Sequence, residues 1–154
     1  MIINFKKQTL NLHYQKAIYW VERSILLIAD LHLGKAAHFR KKGLAAPANI
    51  SQTNFNNLEI LLDEFAPKRV LFLGDLFHSY LNTEWALFTS WVEKQKAKIV
   101  LIIGNHDIIE PSKYENLGIH ITDKWEMDSI LLTHHPEVKP KAFNIAGHIH
   151  PGIQ

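Results

Sequence analysis

The sequence contains no cysteine. A disulfide framework and a thiolate metal site are therefore both excluded, so any bound metal must be held by histidine, carboxylate or amide side chains. Because disulfides are rare in reducing compartments, this absence fits an intracellular protein, and we expect a cytoplasmic location.

Long hydrophobic runs and a strong net charge are also missing. The apolar runs are far shorter than the roughly 20 residues that a membrane helix needs, and residues 1–10 lack the layout of a signal peptide, so we expect no membrane association. The formal charge is only +2, so a nucleic-acid partner would need a local basic cluster. The 154 residues, 47% of them hydrophobic, predict one domain over residues 1–154.

Histidine is abundant, and seven of its ten copies lie just after apolar runs. Runs of this kind indicate strands buried on both faces, and in open α/β sheets function collects beyond the carboxyl ends of such strands. Five runs end in residues that can bind metal: Ser24–Ala29 before Asp30 and His32, Val70–Leu73 before Asp75 and His78, Ile99–Ile103 before Asn105, His106 and Asp107, Ile130–Leu132 before His134 and His135, and Asn144–Ala146 before His148 and His150.

Helical and strand patterns alternate along the rest of the chain. The predicted elements are a hairpin over Thr9–Tyr14 and Ala17–Val21, helices over Asn49–Phe65 and around Trp85–Val92, a capping box that starts a short helix at Ser112, and short strands over Ile119–Thr122 and Trp125–Met127. Strands that alternate with helices predict an α/β layered fold with a largely parallel core.

The residues at the strand ends predict the ligand set of a binuclear metal site. Asp30 and His32 are two apart, so on an extended segment both would point to the same side, and His148 and His150 repeat this spacing. In one geometry the first ion takes Asp30, His32 and His150, the second takes Asn105, His134 and His148, Asp75 bridges them, and His106 stays free. Taken singly, such motifs are more often turns or surface pairs, but their joint occurrence favours a metal site.

At these residues the sequence resembles the calcineurin-like metallophosphoesterases. The five blocks of that family appear in order as Asp30-Leu31-His32, Gly74–His78, Gly104–Asp107, His134 and Gly147–His150. The resemblance implies an α/β sandwich of two mixed β-sheets flanked by α-helices, and the same ligand assignment. His135 lies where relatives often have glycine, so its role is open.

A narrower resemblance links the stretches 29–40 and 73–79 to the ligase-associated DNA damage response endonucleases. It implies action on single-stranded DNA or DNA ends in DNA repair, beside an ATP-dependent DNA ligase and a DEXH-box helicase. The block from Gly74 to His78 is also similar to the Mre11 nuclease family, in which the histidine at the position of His78 lies in the active site without being an ordinary metal ligand. Relatives continue past the last block, so we expect C-terminal strands to be missing and the open sheet edge to favour a homo-oligomer.

A basic stretch follows the first two ligands. Lone charge runs are usually solvated loops, but beside a phosphoester site this one could grip a nucleic-acid backbone and stack a base. The residues expected to bind substrate are Lys35, Phe39, Arg40, Lys41 and Lys42.

The predicted chemistry is metal-assisted phosphodiester hydrolysis. Two divalent ions activate water and polarise the phosphate, while His106 serves the leaving oxygen, Asp107 orients His106, and His78 adds a proton or a phosphate contact. Ligands without sulfur suit Mn²⁺ best, with Fe or Zn as alternatives. Two other functions share the fold: hydrolysis of a small phosphoester such as a cyclic nucleotide, nucleotide pyrophosphate or phosphoprotein, and a non-catalytic scaffold, which the intact ligand set disfavours.

Overall fold

The strands predicted from apolar runs form the centre of the computed structural model, which describes residues 1–35, 43, 50–78 and 83–149. In chain order the described elements are β1 (Ile2–Phe5), β2 (Gln8–His13), β3 (Ala17–Trp20), a 3₁₀ turn (Val21–Arg23), β4 (Ile25–Ile28), α1 (Ile50–Phe65), β5 (Arg69–Leu73), α2 (Thr83–Val92), β6 (Lys98–Ile102), α3 (Pro111–Glu115), β7 (His120–Thr122), β8 (Lys124–Met127), β9 (Ile130–Thr133) and β10 (Phe143–Ala146).

These strands form two mixed sheets. The larger sheet has the order β1-β2-β3-β4-β5-β6-β7, antiparallel from β1 to β4 and parallel from β4 to β7. The smaller sheet has the order β10-β9-β8, with β10 parallel and β8 antiparallel to β9. The predicted α/β fold with a parallel core and two mixed sheets is confirmed, and within the described residues β10 is an edge strand.

The central strands are buried on both faces. In β4, Leu26 and Ile28 join a cluster that contains the inner faces of α1 and α2, whereas Ile25 and Leu27 join a second cluster that contains Ile130 of β9. Successive side chains of a strand point to opposite faces, so the larger sheet lies between a helical layer and the smaller sheet. This double burial is why the strands appear in the sequence as unbroken apolar runs.

Two local features differ from the prediction. The strand β1 was not predicted, because Ile2, Ile3 and Asn4 are all exposed at the sheet edge and show no alternation of buried and polar positions. The prediction of a capping box at Ser112 is wrong, because α3 begins with Pro111 after Glu110 and no side chain caps it. Proline is favoured in the first turn because its fixed φ matches the helix and its missing N–H needs no partner there.

The parallel topology brings the ends of both sheets together. The loops that follow β4, β5 and β6 leave neighbouring parallel strands at the same edge. Side chains from the smaller sheet reach this edge, since His134 after β9 contacts Asp75 after β5. In the described part of the chain, no helix has the length and apolarity needed to cross a membrane.

Candidate metal centre

Two of the predicted ligand loops run side by side. The N–H of Asp30 donates to the carbonyl of Gly74 at 3.1 Å, and the N–H of His32 donates to the carbonyl of Asp75 at 2.9 Å. A short bridge between Leu33 and Phe77 continues the pairing. The parallel pairing of β4 with β5 thus extends past the strands and fixes the spacing of the first two motif blocks.

Four candidate ligands have left-handed backbone conformations. The φ angles are +53° for Asp30, +48° for His32, +53° for Asp75 and +65° for His148. The expectation that Asp30 and His32 lie on an extended segment is therefore wrong, although the structure still brings them together. Asp and His enter this region more readily than most residues, and such strain persists only where surrounding contacts enforce it.

Asp75 lies between two histidines from different sheets. Its Oδ2 is 3.8 Å from Nε2 of His32, and its Oδ1 is 3.4 Å from Nε2 of His134. Only 2% of Asp75 is exposed, so this carboxylate is withdrawn from water and needs a positive partner. Each oxygen faces a different histidine, which is the arrangement that a bridging ligand requires.

The hydrogen bonds of His134 determine which of its nitrogens faces the site. Its Nδ1 lies 2.9 Å from the carbonyl oxygen of Leu73, which can only accept, so Nδ1 carries the proton. In the neutral ring, Nε2 then offers a lone pair, and it lies 3.0 Å from Oδ1 of Asn105. A metal-binding histidine is oriented in this way, with one N–H donated to a carbonyl and the other nitrogen left for the ion.

His148 joins the two halves of the site. Its backbone N–H donates to both carboxylate oxygens of Asp30, at 3.1 and 3.0 Å. Its ring centre lies 5.1 Å from that of His134 and 4.2 Å from that of His135. Ligand atoms of these three histidines lie within 4.8 Å of one another, so the structure adds His135 to the candidate ligands. The doubled histidine after β9 is the signal that could have indicated it.

His106 and His78 lie together at the side of His32. The rings of His78 and His106 stack with their centres 5.2 Å apart. The ring of His32 meets each of them edge to face, with a centre-to-centre distance of 5.5 Å in both pairs. The backbone N–H of His106 donates to Oδ1 of Asp75 at 2.8 Å. The backbone of His106 is thus held against the Asp75 carboxylate, while its imidazole lies beside the rings of His32 and His78.

Asp107 anchors the loop that carries Asp75. Its Oδ2 accepts the N–H groups of Asp75 and Gly104 at 2.8 and 2.9 Å, and its Oδ1 accepts those of Leu76 and Phe77 at 2.9 and 3.2 Å. Burial raises the pKa of Asp107, while these N–H groups favour the ionised form. The carboxylate is committed to backbone groups, so the structure gives it a positioning role in place of the predicted partnership with His106.

Three motif glycines allow the loops to approach each other closely. A Cβ on Gly74, whose φ is +84°, would collide with the His134 ring, and one on Gly104 would collide with Asp75. A Cβ on Gly147 would lie 2.6 Å from the carbonyl oxygen of Leu73 and 3.0 Å from Oδ2 of Asp30. The glycines are therefore needed for packing at the centre as well as for ending the strands.

Burial keeps His32 neutral. Burial, together with the nearby charge of Lys35, lowers the pKa of His32 to about 4, although the charge of Asp75 acts in the opposite direction. A metal ligand must be the unprotonated imidazole, so this environment has His32 ready to bind at neutral pH.

The described residues include only part of the predicted substrate and ligand set. Lys35 follows the first ligand loop and is half-buried, with its N–H donating to the carbonyl of His32 at 3.1 Å. The remaining predicted substrate residues, Phe39, Arg40, Lys41 and Lys42, and the predicted ligand His150 lie outside the described residues.

The donor atoms fit a pair of divalent ions. Asp30, His32 and Asp75 place one ligand atom each within a 4.8 Å group, Asp75 also faces Nε2 of His134, and that nitrogen faces Oδ1 of Asn105. Oδ1 of Asp75, Nε2 of His134 and Oδ1 of Asn105 are all acceptors in this arrangement, so neighbouring atoms of the three repel each other. A cation bound between them would remove that repulsion. Carboxylate, amide and imidazole donors are those that Mn²⁺, Fe and Zn accept.

Comparison with known proteins agrees with this geometry. The crystal structure of the Pseudomonas putida nuclease MPE has a TM-score of 0.84 to this chain at 31% sequence identity, over 98% of this chain and 74% of that one. A search of curated protein sequences found no significant match. The family model of the calcineurin-like phosphoesterases matches residues 23–150, which include every strand-end block described above. This chain therefore belongs to the calcineurin-like phosphoesterase family, whose members use divalent metals.

Proposed function

We propose that this protein is a binuclear metal-dependent phosphodiesterase that cleaves DNA. The observation that carries the proposal is the position of Asp75, whose Oδ2 faces His32 and whose Oδ1 faces His134. A carboxylate placed between two sets of ligands suits a pair of ions close enough to act on one phosphate.

The two ligand sets come from different strand ends. One ion would be held by Asp30, His32 and Asp75, and the other by Asp75, Asn105 and the histidines at 134 and 148. His135 is placed to join the second set, and the proposal keeps His150 in the first set on sequence grounds. When bound, the ions supply positive charge at the phosphate oxygens and activate the attacking water.

His106 supplies the proton for the leaving oxygen. Its backbone is tied to Asp75, so the ring stays next to the proposed ions while its own nitrogens remain outside the ligand groups described above. A protonated imidazole can donate its proton to the departing alkoxide and recover a proton from water. Stacking on His78 limits the orientations that the His106 ring can adopt.

His78 is the residue to which we assign a phosphate contact. Its ring lies beside those of His106 and His32. A donor in this position can bind a phosphate oxygen whose charge grows in the transition state. His78 is therefore a second candidate catalytic residue.

Several features support DNA as the substrate. The similar structure from Pseudomonas putida is that of a nuclease, and the basic stretch that starts at Lys35 directly follows two proposed ligands. The resemblance of 29–40 and 73–79 to the ligase-associated endonucleases supports a role in DNA repair beside a DNA ligase and a DEXH-box helicase.

Hydrolysis of two substrates tests the proposal. With Mn²⁺ the purified protein should hydrolyse both an aryl phosphodiester and a single-stranded oligonucleotide, and chelator should abolish both activities. The oligonucleotide should also compete with the aryl substrate. Activity on the aryl substrate without competition by DNA would indicate a small-molecule phosphoesterase, and no activity with either would indicate a scaffold.

A further inference from the structure

A groove of about 450 Å³ begins at the candidate metal centre and leads away from it. Asp30 and Leu31 form its end at the metal centre, the β2–β3 turn (residues 14–16) forms one wall, and Asn54 and Asn57 of α1 form the other. Volumes of this size are typical of sites for small ligands. A substrate with its phosphate at the ions could extend directly into this groove.

The walls of the groove carry the side-chain types that bind nucleosides. Tyr14 is 82% exposed, so one large aromatic ring stands uncovered at the rim. Asn54, Asn57 and Gln15 add amides, which can pair donor and acceptor groups with the edge of a base. Lys16 adds a cation, and in the described lining Asp30 is the only acidic residue.

The Gln15 side chain in this turn uses only part of its hydrogen-bonding capacity. Nε2 of Gln15 donates to Oδ1 of Asn57 at 3.3 Å. The other amide atom of Gln15, Oε1, is buried and has no hydrogen-bond partner among the described residues. A buried acceptor without a partner is costly, and a donor from a ligand that displaces the side chain slightly would satisfy it.

The turn is also held in place. His13 accepts the N–H of Gln15 through Nδ1 at 3.3 Å and pairs with Glu64 of α1 through Nε2 at 3.2 Å. The ring of Tyr14 packs on that of His13, with centres 4.3 Å apart. Because these contacts position the turn before any ligand binds, less conformational entropy remains to be lost on binding.

We propose that this groove binds the nucleoside next to the cleaved phosphodiester, with its base stacked on Tyr14, its edge on the amides and its further phosphate at Lys16. This inference rests on the proposed function, because it takes the reacting phosphate to lie at the metal centre. It adds the residues that distinguish a nucleotide substrate from a simple phosphodiester.

The test compares substrates that differ only in the nucleoside. Thymidine 5′-(4-nitrophenyl phosphate) and its 3′ isomer present a nucleoside on either side of the phosphate, and methyl 4-nitrophenyl phosphate presents none. Tyr14→Ala should lower kcat/KM on one thymidine isomer by about 5- to 150-fold, the range that base–aromatic stacking contributes. It should leave hydrolysis of the methyl ester unchanged.

Matched variants separate the contacts from general effects. Tyr14→Phe keeps the ring and should keep the wild-type rate on both thymidine isomers. Lys16→Ala should weaken binding of a longer oligonucleotide, whereas Lys7→Ala should not. Lys7 is a fair control because it is exposed and, like Lys16, has a positive φ in a hairpin turn.

A binding measurement gives a result that does not depend on catalysis. The fluorescence of 2-aminopurine deoxyriboside 5′-monophosphate should fall on titration with wild-type protein or Tyr14→Phe, and should change little with Tyr14→Ala. Equal quenching by all three proteins would overturn the inference, as would equal loss of activity on the thymidine and methyl substrates. If the wild type hydrolyses none of the substrates, the proposed function fails, and the fluorescence titration alone decides whether the groove binds a nucleotide.

Discussion

Asp107 fixes Asp75 through the backbone: its Oδ2 accepts the N–H of Asp75 at 2.8 Å. The same carboxylate accepts the N–H of Gly104 and those of the two residues that follow Asp75. One side chain thus joins the second and third motif blocks. The candidate bridging ligand is held by this clamp as well as by its own strand.

Replacing the clamp should weaken both stability and metal binding. In Asp107→Asn one carboxylate oxygen becomes an NH₂ group that faces two N–H donors, so we expect unfolding to require about 2–4 kcal/mol less. The affinity for Mn²⁺ should fall as well, because the loop of Asp75 is released. Urea unfolding and metal titration measure the two effects.

The exposed Asp123→Asn is the matched control for the clamp, since it makes the same change in charge on the surface. If Asp107→Asn behaves like this control, the backbone hydrogen bonds of Asp107 do not organise the site.

Gly74→Ala should disrupt the contact between Asp75 and His134. The new Cβ would collide with the His134 ring, and φ at this position is +84°. We expect a loss of about 1–2 kcal/mol from the left-handed backbone and about 1–3 kcal/mol more from overpacking. Binding of the second ion should weaken, which calorimetric titration with Mn²⁺ would detect.

Gly118→Ala isolates the backbone contribution to this effect. Gly118 has a similar φ of +76°, but a Cβ there would meet nothing within 4 Å. Gly118→Ala should therefore lose only the stability assigned to the left-handed backbone, about 1–2 kcal/mol, and the protein should keep both ions. Equal losses in the two variants would mean that the close approach of Gly74 to His134 is not important.

His106→Ala should separate catalysis from metal binding. His106 lies next to the ligands but belongs to neither histidine or carboxylate group that could hold an ion in the described residues. We expect both ions to remain bound while kcat falls by about 10²–10⁴, the usual contribution of a positioned acid or base. Metal analysis and steady-state kinetics on an aryl phosphodiester measure this, with the exposed His120→Ala as control. Should metal content fall together with activity, His106 is a ligand.

The residue types at the strand ends made the site predictable. Aspartate and histidine directly after apolar runs indicated which side chains would meet, and the structure brings Asp30, His32 and Asp75 together. Their left-handed backbone was not predictable, because it depends on hydrogen bonds between loops more than 40 positions apart, such as that from His32 to Asp75. The role of Asp107 was hidden for the same reason, since its partners at 75–77 are distant in sequence.

Three other features of the molecule leave weaker signals in the sequence. The edge strand β1 has no buried alternation, so only its pairing with β2 reveals it. His135 adjoins a predicted ligand, and nothing in the spacing distinguishes which of two neighbouring histidines turns toward the centre. The groove at Tyr14 combines residues of a hairpin turn and a helix, and only the folded chain places them together.

The basic stretch should determine how affinity for DNA depends on salt. If Lys35, Arg40, Lys41 and Lys42 each neutralise one phosphate of a single strand, log affinity should fall against log salt with a slope of about −3. Changing all four to alanine should flatten this slope and leave hydrolysis of a small aryl phosphodiester nearly intact. Fluorescence anisotropy over a salt series gives the slope.

Four exposed lysines elsewhere, Lys7, Lys94, Lys96 and Lys113, provide a control with the same change in charge. If the control variant flattens the slope of log affinity against log salt as much as the basic-stretch variant does, the salt dependence follows net charge and not the basic stretch. If the changes in the basic stretch impair hydrolysis of both DNA and the aryl phosphodiester, the stretch supports the fold and not substrate binding.

Electron paramagnetic resonance of the Mn²⁺-loaded protein tests the central claim, that Asp75 bridges two ions. We expect two Mn²⁺ per chain with a spectrum of coupled ions in the wild type, and loss of the coupling together with at least one ion in Asp75→Asn. One ion or none at saturating Mn²⁺, or a coupled pair that survives Asp75→Asn, would contradict it.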